Sequence, residues 1–216
     1  MIYARYIHFG GAFPVGNFAE ETGDGFSASP GFNVGVKGKI PLPVNGLGIF
    51  ISGDFIFNGL KGLMKDYFDE MEDDGYDVKR PRYINVPIFV GLNYKYNFNP
   101  HFGIWAEGGF GADLRKITNW EESYTDYDYY YGTYTYSYKL KLDMQASFAG
   151  QIGTGIMIND LFSIGLHFYG LGASKIKGKL TESITAGGYT DSETYPVSDS
   201  KSYSQNCFMV RLGFHF

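Results

Sequence analysis

Residues 207–216 read C-F-M-V-R-L-G-F-H-F. Phe208, Val210, Leu212, Phe214 and Phe216 are large and apolar. Cys207, Met209, Arg211, Gly213 and His215 alternate with them and are small, polar or adaptable. A strict period of two is the signature of a strand with one greasy face. The stretch ends on an aromatic residue with no polar tail. A water-soluble domain has little reason to place five large apolar side chains on the free end of a strand. A strand that closes a barrel inside lipid has every reason, because an open edge finds no water there to satisfy its backbone.

Working back from this stretch, the alternation predicts eight strands, at residues 2–13, 31–40, 47–58, 83–98, 102–117, 138–158, 162–174 and 205–216. The connections alternate in length. Residues 41–46, 97–101 and 159–161 are short turns; residues 14–30, 59–82, 118–137 and 175–204 are long loops. In strand two Phe32, Val34, Val36 and Ile40 share one parity, against Asn33, Gly35, Lys37 and Lys39. In strand five Phe102, Ile104, Ala106, Phe110, Ala112 and Leu114 oppose Trp105, Glu107, Asp113, Arg115 and several glycines. From strand two onward every charge but Lys116, at the far end of strand five, falls on the second parity. Strand one is the irregular one, because Arg5 shares the parity of Tyr3, Ile7, Phe9 and Phe13 and has to snorkel at an interface.

Periodicity alone leaves open which face is inside, and a soluble barrel would turn the apolar face in. Three features favour lipid outside. The polar parity is rich in Gly and short side chains, which suits a narrow lumen. The apolar parity carries more large side chains than such a lumen could hold. Aromatics gather at strand ends: Phe98, Phe102, Phe162 and Phe216 at the turn side, Tyr138 and Phe168 at the loop side. The expected fold is all-β: an eight-stranded antiparallel up-and-down transmembrane β-barrel over residues 1–216 as one domain, with short periplasmic turns and long extracellular loops.

In this layout, and in the final strand with its C-terminal Phe216, the chain resembles the small outer-membrane β-barrel families of Gram-negative bacteria, such as the OmpA, OmpX and OmpW barrels. The resemblance is one of pattern over the whole chain and carries no catalytic motif. It implies a place in the bacterial outer membrane among lipid and lipopolysaccharide, with loops extracellular and both termini periplasmic. It also implies that the barrel-insertion machinery reads Phe208, Val210, Leu212, Phe214 and Phe216. Related barrels serve as tethers, adhesins, enzymes and narrow channels, so fold does not decide function. The expected role is a non-enzymatic, monomeric surface protein acting in adhesion, envelope integrity or host contact through its loops. The alternative is a narrow conduit for a small or hydrophobic solute, and then a lipid-modifying enzyme.

Composition narrows the field further. Tyr and Phe number 19 each and Gly 30, which favours strands and tight turns. A formal charge of −5 argues against a nucleic-acid partner. The single cysteine, Cys207, has no internal partner for a disulfide. No apolar run is long enough for a transmembrane helix. No secretory signal is recognisable, so an exported form is expected to have had it removed. A mean hydropathy of −0.19 is compatible with a barrel whose loops dilute half-apolar strands.

Few residues carry chemistry. Counting from the short-turn ends, Glu107, Arg211 and His167 each lie five residues in, on the inward parity, with Asp54, Gln151, Asn93 and Lys37 at comparable heights. They are expected to form a lumenal polar network centred on a Glu107–Arg211 bridge, since a charge deep in a narrow lumen needs a partner. No His-Ser dipeptide marks a hydrolase among His8, His101, His167 and His215. The acidic run at residues 66–77 lacks the ligand spacing of an EF-hand and reads as a solvated loop, with no metal or cofactor expected. The run at residues 124–138 holds Tyr124, Tyr127, Tyr129, Tyr130, Tyr131, Tyr134 and Tyr136. Tyrosine gives large contact area at low entropy cost, so this run reads as a recognition surface for an extracellular protein partner. Because Tyr134, Tyr136 and Tyr138 keep the parity of Leu140 and Leu142, the run is expected to stand out from the membrane as a hairpin.

Overall fold

The computed structural model describes residues 4–21, 25–130 and 132–216. The barrel strands are β1 (Ala4–Pro14), β2 (Gly31–Pro41), β3 (Leu47–Asn58), β5 (Tyr83–Asn97), β6 (Phe102–Ile117), β9 (Gln145–Ile158), β10 (Phe162–Gly170) and β13 (Cys207–His215). They close in the order β1-β13-β10-β9-β6-β5-β3-β2, with every neighbouring pair antiparallel. First and last strands meet from Tyr6↔His215 to Pro14↔Cys207. The seam is finished by Arg5 N donating to Phe216 O at 3.2 Å and Phe216 N donating to Arg5 O at 2.9 Å. Closure removes both edges, which is what a sheet in lipid requires.

Alternation then fixes the two surfaces. Val34, Val36, Ile51, Ile88, Val90, Leu92, Ile104, Ile152, Ile156, Ile164, Leu166, Val210 and Leu212 all point outward and are exposed. Aromatics ring this band at both ends. Phe98, Phe102, Phe162 and Phe216 lie at the short-turn end; Phe13, Phe32, Phe110, Phe148, Phe168 and Phe208 lie at the other. Such a surface is stable only against lipid. Arg5 stands exposed at the short-turn rim. The lumen is less polar than its glycines imply: Tyr6, Phe50, Ile56, Phe89, Trp105, Met157, Tyr169 and Met209 are all buried inside.

Several expected boundaries move. The strand expected at 138–158 is broken at Asp143 and Met144. Its first part belongs to β8 (Gly132–Leu142), so Leu140, Leu142 and Tyr138 lie outside the barrel and Tyr138 is no part of the girdle. β10 stops at Gly170, and residues 173–174 already belong to β11 (Ala173–Ala186). The region expected as a loop at 175–204 is strand: β11 turns at Gly187 and Gly188 into β12 (Tyr189–Ser204). Both glycines have positive φ, +56° and +85°, the conformation that a two-residue hairpin turn demands. With β7 (Trp120–Asp128) and β4 (Asp77–Lys79) these strands form a second, five-stranded sheet, ordered β12-β11-β8-β7-β4, beyond the long-loop end. The expected hairpin at 118–137 is therefore present as β7–β8, and a second hairpin joins this outer sheet rather than the barrel. The acidic run is not a loop but largely helix α1 (Gly62–Asp73), followed after its cap by β4. Phe68 of α1 is fully buried against Trp120, ring centres 5.2 Å apart.

The first long connection folds back over the barrel mouth. Phe18 is fully buried there and packs edge-on against Tyr83 at 5.2 Å, with Phe26 beside both. The Tyr83 hydroxyl donates to Phe26 O at 2.5 Å, and Asn58 Nδ2 donates to Ala12 O at 3.2 Å and Ser29 O at 3.0 Å.

Candidate functional site

Two regions hold the chemistry: the lumen at mid-height and the outer sheet. In the lumen Asp54 on β3 is the hub. It accepts from Tyr169 Oη at 2.8 Å and Arg211 Nη2 at 2.9 Å, and its Oδ1 lies 2.5 Å from His8 Nε2. Arg211 also donates to the Tyr169 hydroxyl at 2.7 Å and lies over the Tyr169 ring at 4.6 Å. The Asn33 amide, oriented with its oxygen toward the guanidinium, accepts from Arg211 Nε at 2.9 Å. Glu107 on β6 is held instead by Lys37 across the lumen and by His167 Nε2 at 3.2 Å. Glycines make room for these groups: a side chain at Gly35 would run into Asp54 and His8, and one at Gly153 into the His167 ring.

The expected Glu107–Arg211 bridge does not form. Both residues are buried at mid-lumen as expected, but each finds a different partner. Asp54 reaches Arg211 first, and Lys37 neutralises Glu107. The structure brings five of the expected residues together, Glu107, Arg211, His167, Asp54 and Lys37. It leaves Gln151 and Asn93 outside: both are buried, but Gln151 makes no side-chain hydrogen bond and Asn93 Oδ1 accepts none among the described residues. His8, Tyr169 and Asn33 were missed. His8 was legible, since it lies on the parity opposite Ile7 and Phe9 in strand one. Tyr169 was hidden because an aromatic side chain reads as girdle or core.

A further buried ion pair, Arg115 with Asp113, sits at the barrel's long-loop end. Arg115 meets Asp113 at 3.1 Å, Ser147 Oγ at 2.6 Å and Tyr203 O at 3.0 Å, and donates also to Leu171 O. These contacts tie β6, β9, the β10–β11 link and the end of β12 together. The structure does make one Ser–His contact, His215 Nε2 to Ser163 Oγ at 3.0 Å in the short-turn mouth. Among the described residues no carboxylate is hydrogen-bonded to His215, so the third member of a nucleophilic triad is lacking. No group of three or more His, Cys, Asp or Glu able to hold a metal ion occurs among the described residues.

The outer sheet has two chemically different faces, because residues directly opposed on neighbouring strands project to the same side. One face carries the rows Trp120–Leu140–Leu180–Tyr195, Glu122–Tyr138–Glu182–Glu193 and Tyr124–Tyr136–Ile184–Asp191. The other carries Thr125–Thr135–Thr185–Thr190, Ser123–Ser137–Ser183–Ser192, Glu121–Lys139–Thr181–Thr194 and Lys141–Lys179–Pro196. On this hydroxyl face Thr125 and Thr135 are hydrogen-bonded at 2.9 Å, as are Thr185 and Thr190. On the aromatic face α1 covers the Trp120 end. Beyond it lie a groove of about 320 Å³ lined by Tyr138, Leu140, Leu180 and Val197 and another of about 250 Å³ lined by Tyr136, Glu182, Ile184 and Asp191.

The tyrosines divide. Tyr127, Tyr129 and Tyr130 are 68%, 83% and 86% exposed at the tip of the β7–β8 hairpin. Tyr124, Tyr134 and Tyr136 are half-buried and cover one another, with Tyr124 stacked on Tyr136 at 5.1 Å. Tyr131 lies outside the described residues. A hydrogen bond to Asp126 raises the pKa of the Tyr134 phenol. One from Lys139 holds the Glu121 carboxyl below the usual carboxylate range.

No protein-family model matches the chain, and neither does any curated protein. Among solved structures it is similar to Ail, the attachment invasion locus protein of Yersinia pestis, in complex with the heparin analogue sucrose octasulfate, at 13% identity and a TM-score of 0.46 with both chains covered in full. It is also similar to a major outer membrane protein from Thermus thermophilus, at 13% identity and a TM-score of 0.43 over 99% of each chain.

Proposed function

We propose that this chain is a non-enzymatic protein of the bacterial outer membrane whose barrel is a plugged stalk and whose outer sheet contacts a partner at the cell surface. The observation that carries the reading is the two-faced sheet. A barrel built only to span lipid has no use for a five-stranded sheet beyond the membrane with aromatic grooves on one side. The exposed Tyr127, Tyr129 and Tyr130 at its tip offer large contact area at low entropy cost. Lys139, Lys141, Lys177 and Lys179, all exposed on the strands of the other face near the barrel, suit the phosphates of lipopolysaccharide. The termini then lie on the periplasmic side and the outer sheet outside. The packed lumen supports a stalk rather than a conduit, since Asp54, Arg211, Lys37, Glu107 and their aromatic neighbours fill it.

Bacteria displaying the chain should adhere to cultured epithelial cells better than cells lacking it. The Tyr127→Ser, Tyr129→Ser, Tyr130→Ser triple variant should lose most of that gain. Heat-modifiable gel migration should be the same for both proteins, showing that the barrel is intact. Equal adhesion by the variant, or single-channel conductance by the wild type in planar bilayers, would count against the stalk.

A further inference from the structure

The short-turn half of the lumen encloses a cavity of about 30 Å³, lined among others by Tyr6, Lys37, Lys39, Trp105, Glu107 and His167. Two of its side chains carry donors without a partner, and one carries an unpaired charge. Glu107 is already taken by Lys37 and His167. The Tyr6 hydroxyl and the Trp105 indole N–H belong to side chains only 7% exposed, and neither finds a partner among the described residues. Lys39, half-buried on the same wall, holds its ammonium 4.8 Å from the centre of the Tyr6 ring and pairs with no carboxylate among the described residues. The charges do not balance. Lys37 pairs with Glu107, Arg211 with Asp54, and Lys95 at the mouth with Asp160, so among the described side chains, with neutral imidazoles, Lys39 is the cation left over.

We propose that this cavity is a binding site for one small monovalent anion of halide size, entering from the short-turn mouth. Buried donors without acceptors require an explanation in a partner the protein does not supply. A water molecule would satisfy the two donors but leave the excess charge uncompensated, and an unpaired charge in a narrow lumen is costly. An anion answers both needs: it accepts from Tyr6 and Trp105 and neutralises Lys39. The volume admits one or two water-sized atoms, which excludes a sugar, a nucleotide or a phosphorylated headgroup.

Trp105 is itself the reporter. The chain has two tryptophans, so Trp120→Phe leaves Trp105 as the sole indole. In detergent micelles at constant ionic strength, iodide should quench its fluorescence saturably, and chloride should compete. Lys39→Met keeps the alkyl stem over the Tyr6 ring and should weaken iodide binding about tenfold or more, the loss expected for a charge-assisted contact. Tyr6→Phe, which removes only the hydroxyl, should weaken it by a smaller factor. Heat-modifiable migration verifies that each variant is folded. Quenching that rises linearly without saturation, or that Lys39→Met leaves unchanged, would mean the cavity holds water and would overturn the proposal. Should Lys39→Met fail to fold, failure of chloride to compete in the Trp120→Phe protein would overturn it alone.

Discussion

Replacing Asp54 by Ala is expected to lower the unfolding free energy by about 3–5 kcal/mol, because it strands a buried guanidinium. Arg211 is 2% exposed and has Asp54 as its carboxylate partner at 2.9 Å; Tyr169 and Asn33 offer it only neutral groups. His8 loses its partner in the same step. Asp54→Asn keeps the shape without the charge and should lose nearly as much. Adding Arg211→Met to Asp54→Ala removes the stranded charge and should recover a good part of the loss, since a well-packed apolar pair often replaces a buried ion pair at little cost. The Glu107 bridge makes the control. Glu107 and Lys37 should show strong coupling in a double-mutant cycle, and Glu107 with Arg211 much less, because Glu107 binds Lys37 and His167 instead. Urea midpoints and slopes for the chain refolded into lipid vesicles measure all of these. A loss below about 1 kcal/mol for Asp54→Ala would show that water reaches Arg211 and that the lumen is not closed around it.

The barrel could be read from residues 207–216 because lipid imposes a hard rule. Phe208 to Phe216 must face out, so Arg211 must face in, and one strand tells the parity of its neighbours. The same rule placed Lys37, Asp54, Glu107 and His167 inside. It could not pair them. Parity gives the face and distance from a turn gives the height. Four charges on four strands can meet across a narrow lumen in several ways, and neither quantity chooses among them. Gln151 had the right face and height and still makes no side-chain hydrogen bond among the described residues. The outer sheet was hidden for a related reason. The period of two runs without interruption from Tyr134 to Met144, so the break at Asp143 and Met144 leaves no trace in it. What separates β8 from β9 is the partner: Leu142 faces Gly178 of β11, whereas Phe148 faces Ala112 of β6. Helix α1 left a clearer trace, with Met64, Phe68 and Met71 at helical spacing, but its many carboxylates outweighed three apolar residues.

Arg115→Met is expected to cost about 3–5 kcal/mol as well, by stranding Asp113 rather than an arginine. Asp113 is fully buried, and Arg115 is its ion-pair partner at 3.1 Å. Here, however, the effect should spread away from the barrel. Arg115 reaches carbonyls of Leu171, Gly172 and Tyr203, the points where β10 leaves the barrel and where β12 returns to it. Without it the base of the outer sheet keeps Lys116 donating to Leu142 O and Asp143 N donating to Lys177 O at 2.8 Å. Those bonds hold β8 and β11, and the end of β12 then rests on its pairing with the start of β11, from Ala173↔Ser204 to Lys175↔Ser202. Added protease should therefore cut faster within residues 189–204 of the variant than of the wild type, while the strands in lipid stay protected. The double variant Arg115→Met, Asp113→Leu removes the stranded carboxylate and should restore stability without restoring protection, because the guanidinium that bridged the carbonyls of Leu171, Gly172 and Tyr203 is still gone. If protection returned with stability, the joint would be set by packing around Asp113 and not by the guanidinium; if the two part as expected, one buried arginine couples the membrane barrel to the five-stranded sheet.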